Sequence, residues 1–129
     1  EILRVQKLKP PLTPLQEGLP IKLPKNESAF YAGNGKVLSR KKAGKNSEKE
    51  YEYSIKREGD FVITDKRVLV VSEGTTKVDH KNVLDIDVDL DNSMIVISKD
   101  TSQTPTLIQS SEPLYAAKII DILTTDQKA

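Results

Sequence analysis

Between residues 59 and 90 the apolar positions of this chain fall in short runs split by two-residue turn chemistry, which is the spacing of strands and not of helices. Residues 61–64 and 68–72 are two such runs, joined through Asp65 and Lys66. Glu73-Gly74 then supplies a glycine where a tight hairpin calls for positive φ, and the chain returns over residues 75–79. Three strands in so short a span predict an antiparallel meander. Upstream, Tyr51, Tyr53 and Ile55 alternate with Glu52, Ser54 and Lys56, the period of a half-buried strand that turns back at residues 57–59. Residues 29–32 and 36–40 read as two short strands around Gly33-Asn34-Gly35, either a turn or a glycine bulge.

Downstream, Ile86, Val88 and Leu90 alternate with Asp85, Asp87 and Asp89. Asp91-Asn92-Ser93 is turn chemistry, residues 94–98 return as a strand, and residues 104–109 give a last one whose Pro105 suits an edge. The period then changes. Leu114, Ala117, Ile120 and Leu123 recur at three-residue spacing after Ser110-Ser111-Glu112-Pro113, so a capped amphipathic helix of about three turns follows. The pattern predicts eight or nine strands and one terminal helix. The fold class is mainly β (α+β): a small curved antiparallel sandwich or barrel capped by its C-terminal helix.

Before residue 25 the chain carries Pro10, Pro11, Pro14, Pro20 and Pro24, which forbid continuous helix or sheet. Leu12, Leu15, Leu19, Ile21 and Leu23 interrupt the prolines, so residues 1–24 are expected to be an extended arm lying along a single domain of residues 25–129. Residues 1–8 have spacing for one or two helical turns. Residues 39–50 hold no large apolar side chain and read as a mobile loop.

Composition narrows the chemistry. With no cysteine there is no disulfide, thiolate nucleophile or cysteine-bound metal, and a cytoplasmic setting is expected. No apolar run approaches the length of a membrane helix. The net charge of +1 hides an asymmetry: residues 1–67 hold 15 Lys/Arg and 9 Asp/Glu, residues 68–129 hold 5 and 10. In a sheet that interleaves its strands the two halves would neutralise each other.

The run Gly59-Asp60-Phe61-Val62-Ile63-Thr64-Asp65-Lys66-Arg67-Val68-Leu69-Val70-Val71 resembles the glycine, Ile-Thr-Asp-Lys-Arg and hydrophobic signature of bacterial pleckstrin-homology-like (GRAM-like) domains. Residues 83–88, 94–97, the Pro105 strand and the terminal helix follow in that family's order, so the likeness spans residues 27–124. The resemblance implies a seven-stranded bent sandwich with a capping helix, and a binding role. In phosphoinositide-binding relatives a basic loop between the first two strands clasps phosphates. The corresponding residues here are Lys36, Arg40, Lys41, Lys42, Lys45 and Lys49.

No other motif competes. Asp85, Asp87, Asp89 and Asp91 have calcium-loop spacing, but Ile86, Val88 and Leu90 lie between them and the twelfth position is Val96. On a strand these aspartates form an acidic strip, with Asp85, Asp87 and Asp89 a docking candidate for a basic partner. His80, among Asp79, Lys81 and Asn82, reads as an exposed turn residue, and Arg67 as a brace for its hairpin through Asp65 or a backbone carbonyl. No nucleophile, base and orienting group occur as a set, and no aromatic is interleaved with the lysines as nucleic-acid stacking requires. The sequence therefore points to an interaction module with no enzyme activity, cofactor or metal, its partner a protein or its own copies. The alternative is an anionic membrane surface met by Lys36, Arg40, Lys41, Lys42 and Lys45.

Overall fold

A computed structural model describes residues 8, 12–15, 18–45 and 51–128. Seven antiparallel strands are formed: β1 (Ala29–Lys42), β2 (Tyr51–Thr64), β3 (Arg67–Val71), β4 (Thr75–Asp79), β5 (Val83–Asp89), β6 (Met94–Lys99) and β7 (Ser102–Ser110). Among the described residues one α-helix, α1 (Pro113–Lys128), follows β7. The sheet runs β4-β3-β2-β1-β7-β6-β5 and stays open, with β4 and β5 at its margins. It is a curved, sandwich-like sheet with a helix packed on it, as the hydrophobic pattern predicts.

The strand count is seven, not eight or nine, because two apparent turns are strand interior. Gly33 and Gly35 lie within β1, and residues 57–59 lie within β2. These glycines serve close approach. A Cβ on Gly35 would stand 2.9 Å from the Phe61 Cβ, and one on Gly59 would stand 2.1 Å from the Val71 carbonyl oxygen. Among the described glycines only Gly18 has a positive φ, so the β3–β4 hairpin turns at Gly74 without one. Gly74 is small because the Arg57 guanidinium, whose Nε donates to Thr76 Oγ1, occupies the space a Cβ would need.

β1 is the shared strand. It pairs with β2 along its length, with register shifts between Ala29 and Tyr31 and between Val37 and Leu38, while β7 covers only Gly35 to Leu38 on its other side. β7 is internal to the sheet only over its last four residues, Leu107 to Ser110. Pro105 lies before them, where β7 pairs with β6 alone and the β6–β7 ladder is irregular between Ile97 and Lys99, so the proline keeps the edge-like position expected of it. The expected loop at residues 39–50 is also strand as far as Lys42, where Ser39 to Lys42 pair with Ser54 to Tyr51. Lys49 and residues 1–7 lie outside the described residues.

The main core gathers Tyr31, Val37, Phe61, Ile63, Val70, Ile95, Ile97 and Ile108 from the sheet against Ala116, Ile119, Ile120 and Leu123 of α1. Burying such side chains stabilises by roughly 1.5–3 kcal/mol each. Pro113 opens α1, its first bond runs from the Ala116 N–H to the Glu112 carbonyl, and Ser110 Oγ accepts from the Glu112 N–H. Leu8 and Leu12 pack against the same core, and the Leu15 N–H donates to the Ala29 carbonyl at 2.8 Å.

The charged halves interleave as expected: β1 and β2, from the basic half, lie between β3 and β4 on one side and β7, β6 and β5 on the other, strands drawn almost wholly from the acidic half.

Candidate functional site

The far half of the β1–β2 hairpin projects past the last β7 partner of β1. Alternation along β1 sends Leu38, Arg40 and Lys42 to one face, opposite Ile55, Tyr53 and Tyr51 of β2. The Arg40 guanidinium carbon sits 4.2 Å from the centre of the Tyr51 ring, and the Tyr51 and Tyr53 rings are 6.4 Å apart. Beneath them a second apolar cluster forms from Leu38, Met94 and Leu107, with Tyr53 and Val96 packed on it. Ile55 is left 58% exposed.

The opposite face is polar. Ser39 and Ser54 share a 2.8 Å hydrogen bond, and Lys41 reaches Glu52 at 3.6 Å. An open depression of ≈ 360 Å³ lies here, lined by Ser39, Arg40, Lys41, Glu52, Tyr53 and Ser54.

The five cations singled out by sequence are thus divided. Arg40 and Lys42 share the aromatic face, Lys41 is on the reverse with Glu52, and Lys45 is in the turn beyond β1. Lys36 is half-buried opposite Gln109, at the β7 end. Six residues of strand separate Lys36 from Lys42, about 20 Å. One phosphate cannot bridge them.

The acidic strip is real only in part. Asp85 and Asp87 are exposed on the margin strand β5, while Asp89 accepts from the Asn92 backbone and side chain and so caps the 3₁₀ turn that follows. Leu84 and Leu90 flank these carboxylates and are 65% and 63% exposed.

A buried polar cluster sits at the other end of β2, where sequence placed nothing. Glu27 accepts from Arg67 Nε at 2.9 Å, Arg67 Nη2 at 3.2 Å and Thr64 Oγ1 at 2.6 Å. Arg67 therefore pairs with Glu27, a partner 40 positions away, where the sequence suggested Asp65 or a backbone carbonyl. Burial pushes the Glu27 carboxyl up, but the hydrogen bonds from Arg67 and Thr64 and the Arg67 charge outweigh it and hold the group below its ordinary value. Thr64 Oγ1 also accepts from the Lys66 and Arg67 N–H groups, and Asp65 Oδ1 accepts from the Ser28 N–H.

His80 is fully buried and not the exposed turn residue expected from its neighbours. Its Nε2 lies 2.7 Å from the Thr64 carbonyl, so that nitrogen carries the proton and donates. Nδ1 is buried with no hydrogen-bond partner. Burial pushes the imidazole below its ordinary value, against the opposing pull of the Thr64 carbonyl, Asp65, Asp79 and Glu27.

Among the described residues no group of three or more His, Cys, Asp or Glu side chains is placed to hold a metal ion, and no helix is long and apolar enough to cross a membrane. No family model matches the chain, and no curated protein matches it.

Proposed function

We propose that this protein is a non-catalytic interaction module of pleckstrin-homology-like type, acting in the cytoplasm, whose projecting β1–β2 hairpin receives a protein partner as an added strand. The observation that carries the reading is the open edge of residues 39–42, where among the described residues β1 has a strand partner on the β2 side and none on the β7 side. Backbone groups there offer affinity. Arg40, Lys42, Tyr51, Tyr53 and Ile55 beside them offer selectivity, since arginine and tyrosine are the side chains that dominate protein contacts. The single histidine adds to the non-catalytic side of the reading, because it is sealed from solvent.

A photo-crosslinking amino acid at Tyr53 tests this in the full chain. A discrete protein adduct is expected from that position and not from the exposed helix position Lys118. The same pattern at both positions, or no adduct at Tyr53, overturns it.

One observation favours a second reading, association with an anionic membrane. Arg40 stacked on Tyr51, with Lys42 and exposed Ile55 on the same face, is a mixture of cation, aromatic ring and aliphatic that suits the headgroup boundary. Phosphatidylserine-containing vesicles should then sediment the protein, and Arg40→Glu with Lys42→Glu should release it. Equal sedimentation with pure phosphatidylcholine removes this reading.

A further inference from the structure

Two stretches of unpaired strand in this sheet are unlike in charge. Among the described residues, residues 39–42 of β1 have no strand partner on the β7 side and carry Arg40 and Lys42 two positions apart on one face. β5 closes the opposite flank of the sheet and carries Asp85 and Asp87, also two positions apart, on its outward face. Strand geometry sets both spacings at about 7 Å, so the cations of one edge and the carboxylates of the other repeat in step. Opposite charges directly across two paired strands attract and so favour one register.

Apolar surface falls in the same places. Of the four large hydrophobics left exposed among the described residues, three are Leu84 and Leu90 at the two ends of β5 and Ile55 beside the β1 edge. Soluble domains normally blunt an edge of this kind with inward charges or a cover. Here each edge carries what the other lacks.

We propose that β5 of one copy adds as a strand to the free β1 edge of a second copy, with Asp85 and Asp87 of the first facing Arg40 and Lys42 of the other. This rests on the reading that the β1 edge binds a protein strand, and names the strand. Lys41 takes no part, being on the reverse face with Glu52. Asp89 takes none either, since both its carboxylate oxygens are held by Asn92, whereas Asp87 gives only Oδ1 to the Val88 N–H. Four residues of β1 against seven of β5 make a small interface, so the contact is weak and its mass depends on concentration. Two copies can also make the contact twice, each lending β5 to the other.

Sedimentation velocity on the full chain tests it, over roughly 10–500 µM, the range in which interfaces of this size populate. Wild type should gain mass with concentration. Arg40→Asp with Lys42→Asp should stay monomeric, and Asp85→Lys with Asp87→Lys should too, while an equal mixture of the two variants should associate again. All four positions are on exposed or half-exposed strand faces, and unchanged circular dichroism and melting temperature confirm that each variant folds. A monomeric wild type, or variants that associate as wild type does, overturns the proposal.

A labelled peptide of alternating Asp and Val separates the two levels. If wild type is monomeric but binds the peptide, and Arg40→Asp with Lys42→Asp abolishes binding, the edge takes acidic strands and the second copy is the wrong partner. If neither association nor peptide binding occurs, the strand-accepting edge is lost along with it.

Discussion

His80 is a titratable ring that folding seals away. Its Nε2 proton is spent on the Thr64 carbonyl, and its Nδ1 has nothing to bond, so a second proton would place a charge in a site that offers no acceptor for it. The sign of the consequence follows from burial lowering the folded pKa below the ordinary 6.5. As pH falls through 6.5 the unfolded chain takes the proton first, so the stability that depends on neutral His80 is complete above that value and declines below it. Glu27 acts in a separate window. Its carboxyl is held below the ordinary 4.5, so its contribution begins to be lost only as pH falls through 4.5. The melting temperature should therefore drop between about pH 7.5 and 5.5, where no ordinary carboxylate titrates. His80→Gln keeps an N–H donor for the Thr64 carbonyl and cannot be charged. It should flatten that slope, and an equal slope in the variant would show that another group is responsible.

Strand elements here depend on where the backbone lets two strands come close. Gly59 is the sharpest case, because its missing Cβ makes room for the Val71 carbonyl oxygen at 2.1 Å, a backbone atom that cannot rotate aside. Gly59→Ala should cost at least about 3 kcal/mol, near the upper range for overpacking. Gly44→Ala has nothing within 4 Å and should stay within about 0.5 kcal/mol, so urea denaturation of the pair checks the argument against a matched control. The same glycines show which parts of the fold could be read from sequence. β3, β4, β5 and β6 announce themselves through local alternation at Val68, Val78, Ile86 and Ile95. A glycine that admits a neighbour and a glycine that turns the chain look alike until the neighbour is known, and Val71 is twelve positions from Gly59. His80 and Arg67 were misread for the same reason. Their partners, Thr64 and Glu27, lie 16 and 40 positions away, while their sequence neighbours are polar. In the hairpin, the period of Tyr51, Tyr53 and Ile55 was legible, but not that Arg40 and Lys42 share their face, because that follows from β1 continuing to Lys42.

At the scale of the molecule the open sheet sets the two basic-half strands between strands of the acidic half, and Leu15 of the N-terminal arm meets the start of the shared strand. Ala29 has no β7 partner on its free side; its carbonyl is taken by the Leu15 N–H, while Leu8 and Leu12 rest on the core that joins sheet and helix. Proline favours this arrangement by two routes, since Pro14 and Pro20 limit what the unfolded arm can explore and donate no hydrogen bond that docking would have to satisfy. Through these contacts the arm is expected to unfold together with the sheet. Two half-buried leucines contribute roughly 2–3 kcal/mol together, allowing for incomplete burial, which for a chain of this size corresponds to a fall in melting temperature of about 5–10 °C when residues 1–24 are removed. Differential scanning calorimetry of the full chain and the truncated one measures the shift. Leu12→Ala in the full chain should show roughly half of it, because it removes one contact and leaves the Leu15 bond to Ala29 in place. An unchanged melting temperature on truncation would mean that the arm rests on the sheet without stabilising it, and that the core closes without its leucines.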